Sequence, residues 1–323
     1  MRPAEKLAWP AWSGRDGHTV VREVMNMRRL IPAIGLLGLM GSFLWNAPAA
    51  AQAARDALAL CARSVIPALF PFFVAVSCFT SLGLARETGR LLAPLAAPLL
   101  GCSGTGAAAF LLGLLGGYPV GGRTAAELYR SGTVDRAEAM HLLSFCNNCG
   151  PAFVVGVAGI GCFGSRRAGL WLYAIHVLSA LLAARLHRPS APERLPPEPA
   201  PLRPFAAALT DAVDRGARTM LTVCGFVVFF SVLTGVIAAA AGPLPPVLLG
   251  FAELTGGILR LTPDRAGFTA AAALLSWGGL CVHAQTAAAL QDTDLSLGPQ
   301  LTGKAMQAVL SAAMAWIAGR WLF

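Results

Sequence analysis

The sequence predicts an all-α polytopic membrane protein, built as an inverted repeat with two re-entrant helical hairpins and broken transmembrane helices. Three observations lead there. The chain is 56% hydrophobic and only 13% charged, whereas soluble domains carry about a quarter charged residues to cover their surface. The charges leave long gaps of 25 residues after Arg29, 22 after Arg63, 27 after Glu138 and 34 after Arg218. Each gap reaches the roughly 20 apolar residues that a helix needs to cross a bilayer. Finally, apolar runs at matching places in the two halves are interrupted by glycines.

Taken in order, residues 1–29 read as a polar N-terminal arm without periodicity. A first span follows at about 30–47; it is expected to stay uncleaved, because the segments after it require membrane insertion in any case. The amphipathic stretch AARDALALCARS precedes a second span at about 64–84. Residues 86–100 carry their charges at one end and two prolines, which suits a short interfacial helix. Residues 104–135 read as the first hairpin, followed by a helix-start signal at Thr133 or Asp135. A third span at about 138–163 is broken by NNCGP, and a fourth at about 168–186 closes the first transmembrane half, 30–186. The Pro-rich, charged stretch 187–204 is a linker. The second half, 205–323, repeats the plan with a span at about 217–241, an interfacial segment at 246–261, a hairpin at 266–293 and a last span at about 301–322.

The repeat can be read residue by residue. Gly116–Leu128 is GGYPVGGRTAAEL and Gly278–Leu290 is GGLCVHAQTAAAL; at an offset of 162, seven of thirteen positions are identical. Basic residues set the orientation, since Lys and Arg collect on the cytoplasmic side. Arg28 and Arg29 place the N-terminus inside, and Arg86, Arg90, Arg123, Arg130, Arg136 and the linker arginines follow. Arg166 and Arg167 fall outside, against the rule. Three spans separate the two repeat starts, so the second half is expected to be inverted, the architecture of secondary transporters.

Irregular backbone cannot face lipid, because its N–H and C=O groups would go unsatisfied; it survives only where it lines a cavity or is buried in protein. Gly117, Tyr118, Pro119 and Gly121 are therefore candidates for a hairpin tip beside a solute. Glycine allows close approach and proline removes a donor. The helix restarting after Gly122 aims its N-terminal amides at that tip, which favours an anionic group, and Arg123 and Thr124 open that helix. Asn147, Asn148 and Pro151 mark the broken third span, where polar groups inside an apolar run point to function. His283, Gln285 and Thr286 match the first tip in the second half. Lys304 and Gln307, three residues apart on the last span, share a face.

Other classes are poorly served. The net charge of +9 is carried by arginines at the ends of apolar runs, where they meet lipid headgroups, so no nucleic-acid partner is expected. The eight cysteines are scattered through apolar segments, and Cys146-x-x-Cys149 lacks further ligands at metal-binding spacing; no metal or cofactor is expected. No phosphate loop or nucleophile–His–acid arrangement marks an enzyme.

GLLGGYPVGGRTAAELYRSG, AEAMHLLSFCNNCGPAFVVGVAG, PALFPFF upstream and GFAELTGG with SWGGLCVHAQTAAALQDTD downstream resemble the family of the sporulation integral membrane protein YlbJ. The resemblance covers roughly residues 30–323. It implies paired nucleoside-recognition (Gate) domains with a fold like that of concentrative nucleoside transporters. It also implies a multi-pass protein of the outer forespore membrane that moves dipicolinate into the forespore and supports the spore cortex. Carried over by position, Gly117, Tyr118, Pro119 and Gly121 form the first tip, Asn147, Asn148 and Pro151 the broken span, and His283, Gln285 and Thr286 the second tip. Helix N-termini, the amides of Asn147, Asn148 and Gln285, Arg123 and Lys304 suit the carboxylates of such a planar dianion, and Tyr118 its ring. A nucleoside or other metabolite, or a non-transporting scaffold for spore assembly, are the competing expectations.

Overall fold

In a bilayer a helix satisfies its backbone polar groups internally, and the apolar runs of this chain are helical throughout the described residues. The structure, a computed structural model, describes residues 27–187 and 204–323; most of the N-terminal arm and of the linker lies outside them. The described chain divides after Pro48. The first unit holds helix α1, Met27–Trp45; the second, Ala49–Phe323, holds all that follows except the first two residues of the next helix, Ala47 and Pro48.

Helix α2, Ala47–Ser81, is a single stretch of 35 residues with a π-turn at Cys61–Val65, so the expected amphipathic piece and second span are continuous. Helix α3, Leu84–Leu95, runs into a second π-turn at Ala96–Leu100. The chain then bends by 86° into α4, Gly104–Gly116. A three-residue break leads to α5, Val120–Arg130. Asp135 caps α6, Arg136–Phe145, by accepting from the Glu138 amide, as the start signal predicts. After the break at NNCGP comes the π-helical α7, Ala152–Cys162, and then α8, Arg166–Leu186. The second half comprises α9 (Phe205–Ala241), the short α10 (Pro246–Ala252) and α11 (Leu254–Ile258), α12 (Arg265–Trp277), α13 (Gly279–Leu290) and α14 (Gly298–Ala318). Four of these stretches are long and apolar enough to span a membrane, and the protein is an all-α polytopic membrane protein.

Contacts sort the loops into two ends. At the linker end, the His187 ring meets the Thr302 hydroxyl at 3.3 Å, and Arg136 pairs with Asp294 at 2.9 Å. At the other end, Phe163 packs edge-on against Phe268, with ring centroids 5.8 Å apart, and Arg265 Nη2 donates to the Trp316 carbonyl at 2.8 Å.

The first hairpin has the expected form. Glu138, in the first turn of α6, accepts from the Ser103 amide at 2.6 Å where α4 begins. Gly113 and Gly121 both press on the Cys146 carbonyl near the tip. Arg130 then returns the chain to the linker end, donating to the Ala289 carbonyl at 2.6 Å.

The second segment is built differently from the hairpin expected over 266–293. Residues 265–290 form one broken span of 26 residues. Helix α14 packs antiparallel along α12, where Arg265 meets Trp316 and Ser276 meets Ser311 at 2.6 Å, and reaches α13 through a side chain, Gln300 to Thr286 at 3.0 Å. The reason lies in the break itself. The first holds Gly117, Tyr118 and Pro119, with a proline that removes a donor. The second has only Gly278 and Gly279, at φ of 90° and 84°, with Leu280 and Cys281 standing where Tyr118 and Pro119 stand in the repeat. The helix resumes at once. Helices α4 and α12 therefore start from opposite ends, while α5 and α13 both finish at the linker end.

Candidate solute-binding site

Three interruptions, at Gly117–Pro119, Cys146–Pro151 and Gly278–Gly279, meet in the interior. Gly117 lies so close to Gly150 that an added Cβ would sit 3.1 Å from the Gly150 nitrogen. Tyr118 reaches the third break and donates its hydroxyl to the Leu275 carbonyl at 2.9 Å, one of the acceptors left open where α12 ends.

Side chains supply the remaining hydrogen bonds. Asn147 accepts from the Gly122 amide at 3.3 Å and donates to the Thr286 hydroxyl at 2.9 Å, tying the first hairpin and the broken third span to α13. Gln300 donates to the same hydroxyl at 3.0 Å and lies 3.1 Å from His283 Nδ1. Asn148 donates to the Phe145 carbonyl at 2.7 Å and accepts from Lys304 Nζ at 3.2 Å. Lys304, with 0% of its surface exposed, also donates to Gln307 at 2.6 Å. Among the described residues no carboxylate pairs with this ammonium. The Tyr118 ring lies close by, 5.3 Å from Nζ to the centroid.

A second branch runs through His176. The Cys149 amide donates to Nε2 at 3.1 Å, which makes that nitrogen the acceptor and leaves the proton on Nδ1. Nδ1 faces the Ser276 hydroxyl at 3.1 Å; Ser276 meets Ser311 at 2.6 Å, and Ser311 donates to Ser179 at 2.7 Å.

A cavity of about 300 Å³ opens beside this network, lined by Gly117, Tyr118, Cys149, Gly150, Glu253 and Gln285 with aliphatic side chains around them. The volume is at the low end of small-molecule sites. Glu253 forms part of the wall, its carboxylate accepting from the Thr255 and Gly256 amides at 2.9 and 2.6 Å.

Residues 62–163 match the family model described as Gate: Nucleoside recognition. The chain is also 27% identical over 329 aligned positions to the sporulation integral membrane protein YlbJ of Bacillus subtilis (strain 168), covering 88% of this chain and 81% of that one. No solved structure matches. Residues 62–163 are thus Gate-like by similarity.

The Gate-like segment contributes the whole first hairpin and the broken span up to Phe163. Within it, Gly117, Tyr118, Asn147 and Asn148 come together at the centre as the sequence suggests. Five other candidates in the Gate-like segment stand elsewhere. Gly121 is filled by the Cys146 carbonyl and faces no cavity. Thr124 bonds its own helix at the Val120 carbonyl, 2.8 Å away. Pro151 caps the start of α7. Arg123 and Pro119 line a separate, larger cavity toward the linker end.

From outside the Gate-like segment, Gln285, Thr286, His283 and Lys304 all reach the centre. His283 lies under Trp277, with ring centroids 4.4 Å apart, and its Nε2 is buried with no partner among the described residues. Lys304 does not snorkel toward an interface. The sequence alone does not single out Gln300, Ser276, Ser311, Glu253 or His176. A signal for the first was present: Gln300, Lys304, Gln307 and Ser311 recur at spacings of four, three and four, a polar stripe on an otherwise apolar helix.

Proposed function

We propose that this protein moves a small anionic solute across a membrane by way of the central site, as a carrier or facilitator and not as an enzyme. The observation that carries the reading is Lys304: a lysine amine held at the meeting of three helix breaks, hydrogen-bonded only to amide oxygens, behind the wall of a cavity that it does not itself line. An ionised group inside a membrane protein is expensive and marks a solute or ion path. Here the missing counter-charge fits an anion that comes and goes.

Similarity to a sporulation membrane protein extends the proposal to the sporulating cell. The solute is then dipicolinate, a planar dicarboxylate, carried into the forespore across its outer membrane to support the cortex. Its ring suits the aliphatic wall and Tyr118, and its carboxylates suit Lys304 and the amides of Asn148 and Gln285. The description of the Gate family favours a nucleoside as the competing solute.

Uptake of radiolabelled dipicolinate into vesicles holding the purified protein tests this, with uridine assayed in parallel. The reading requires saturable dipicolinate uptake that is lost in the Asn147→Ala, Asn148→Ala double variant. Uptake of uridine alone would transfer the site to nucleosides. Uptake of neither by folded protein would favour a scaffold.

A further inference from the structure

The second cavity, about 400 Å³, is lined by Arg123, Arg130 and Arg218 together with Thr219, Thr222 and Gln285. Its guanidinium groups are only lightly engaged. Arg123 donates to the Arg215 carbonyl at 3.4 Å and Arg130 to the Ala289 carbonyl at 2.6 Å. Only Arg218 is paired, with Asp214 at 2.9 Å. Among the described residues neither Arg123 nor Arg130 has a carboxylate within ion-pair distance, so the cavity keeps surplus positive charge.

Two features connect it to the central site. Gln285 and Val223 line both cavities, so these side chains form the partition between them. Arg123 and Gln285 are also equivalent positions of the repeat, 162 residues apart, and face the same space. The cavity lies at the linker end, where Arg130 and Gln291 form part of its wall.

We infer that this second cavity is a vestibule that collects the solute's carboxylates from the linker end and passes them across Gln285 to Lys304. This rests on the reading of the protein as an anion carrier, and adds where the anion is gathered. The chemistry recognised is an oxyanion held by guanidinium forks. A lipid phosphate shares that chemistry, but the proposal commits to a soluble dicarboxylate, because the cavity adjoins the solute path at Gln285.

The test measures dipicolinate binding by titration calorimetry on the full chain in detergent. Wild type is compared with Arg123→Gln/Arg130→Gln, with the charge-keeping Arg123→Lys/Arg130→Lys, and with Asn147→Ala/Asn148→Ala. Charged hydrogen bonds contribute enough that each lost guanidinium should weaken binding about tenfold. The Gln pair should thus bind about a hundredfold more weakly. The Lys pair should recover most of the loss, and the Asn pair, changed at the central site, should weaken binding without removing its salt dependence. Wild-type affinity should fall with added salt. Equal binding by wild type and a folded Gln pair overturns the vestibule. So does native mass spectrometry in which the Gln pair sheds a bound phosphatidylglycerol while dipicolinate affinity is unchanged. Binding that behaves as expected with no uptake by wild type would sink the carrier reading while leaving the vestibule standing.

Discussion

Lys304 Nζ donates to the Asn148 side-chain oxygen at 3.2 Å, joining residues 156 positions apart in the chain. The contact ties the broken span of the first half to the last helix of the second. It also leaves a formal charge in the interior facing neutral oxygens.

Replacing that charge separates function from stability. Lys304→Met fills similar volume without an ionised group; it relieves the cost of burying an amine that has no counter-ion, and the Asn148 oxygen keeps Gln307 as a donor. Thermal unfolding of the purified variant should occur at or above the wild-type temperature, while anion uptake falls at least a hundredfold. A large drop in unfolding temperature would mean that the ammonium holds the fold together.

Asn147 works in the opposite sense. Removing its amide strands the Gly122 N–H and one partner of Thr286 in the interior, and each buried unpaired polar group costs about 1–3 kcal/mol. Asn147→Ala should therefore lose both uptake and stability, visible as a lowered unfolding temperature. Uptake close to wild type would argue that the polar network is only packing glue.

Two glycines offer a matched pair. A methyl at Gly121 would collide with the Cys146 carbonyl, whereas one at Gly156 meets nothing within 4 Å. Overpacking against backbone costs about 1–3 kcal/mol or more, while Gly→Ala at a free helical site gains up to about 1 kcal/mol. Gly121→Ala should give little folded protein by size-exclusion chromatography, and Gly156→Ala should match or exceed wild type.

The linker end carries a pH dependence. The Tyr129 hydroxyl bonds Asp294 at 2.7 Å and Arg136 pairs with it. The hydroxyl first, then the guanidinium, holds this exposed carboxyl below its ordinary value. A depressed carboxyl stabilises the folded state above its unfolded pKa, and that contribution is lost as pH falls through and below about 4. Hydrogen exchange in loop 131–135 should quicken over that range in wild type. In Asp294→Asn it should be fast at every pH, and a wild-type response in that variant would exclude the clamp.

Much of this architecture was legible because it rests on local chemistry. Charge-free runs announce spans, Asp135 announces a helix start, and GGYPVGG announces a turn that only protein or solute can surround. Asn147 and Asn148 stood out because amides are costly in an apolar run. The second break was harder. Gly278-Gly279 looks like Gly116-Gly117, yet whether the chain reverses depends on the two residues after it and on α14 lying alongside. Ser276 and His176 are harder for a different reason: each is unremarkable in its own helix and acquires a role only from partners over a dozen residues away. Arg123 drew attention as a helix-start cation for the centre, but its side chain extends along α5 toward the linker end.

The unequal way in which the two glycine breaks are completed has a mechanical side. Helices α4 and α5 join the rest of the chain at one end only, like a cantilever whose tip is held by the hydrogen bond from Tyr118 to the Leu275 carbonyl and by Gly117 against Gly150. The span of α12 and α13 is fastened at both ends, like a beam, and can flex only at Gly278. A solute held between a cantilever and a beam has one compliant wall and one stiff wall, and any widening of the site must begin at the Tyr118 side.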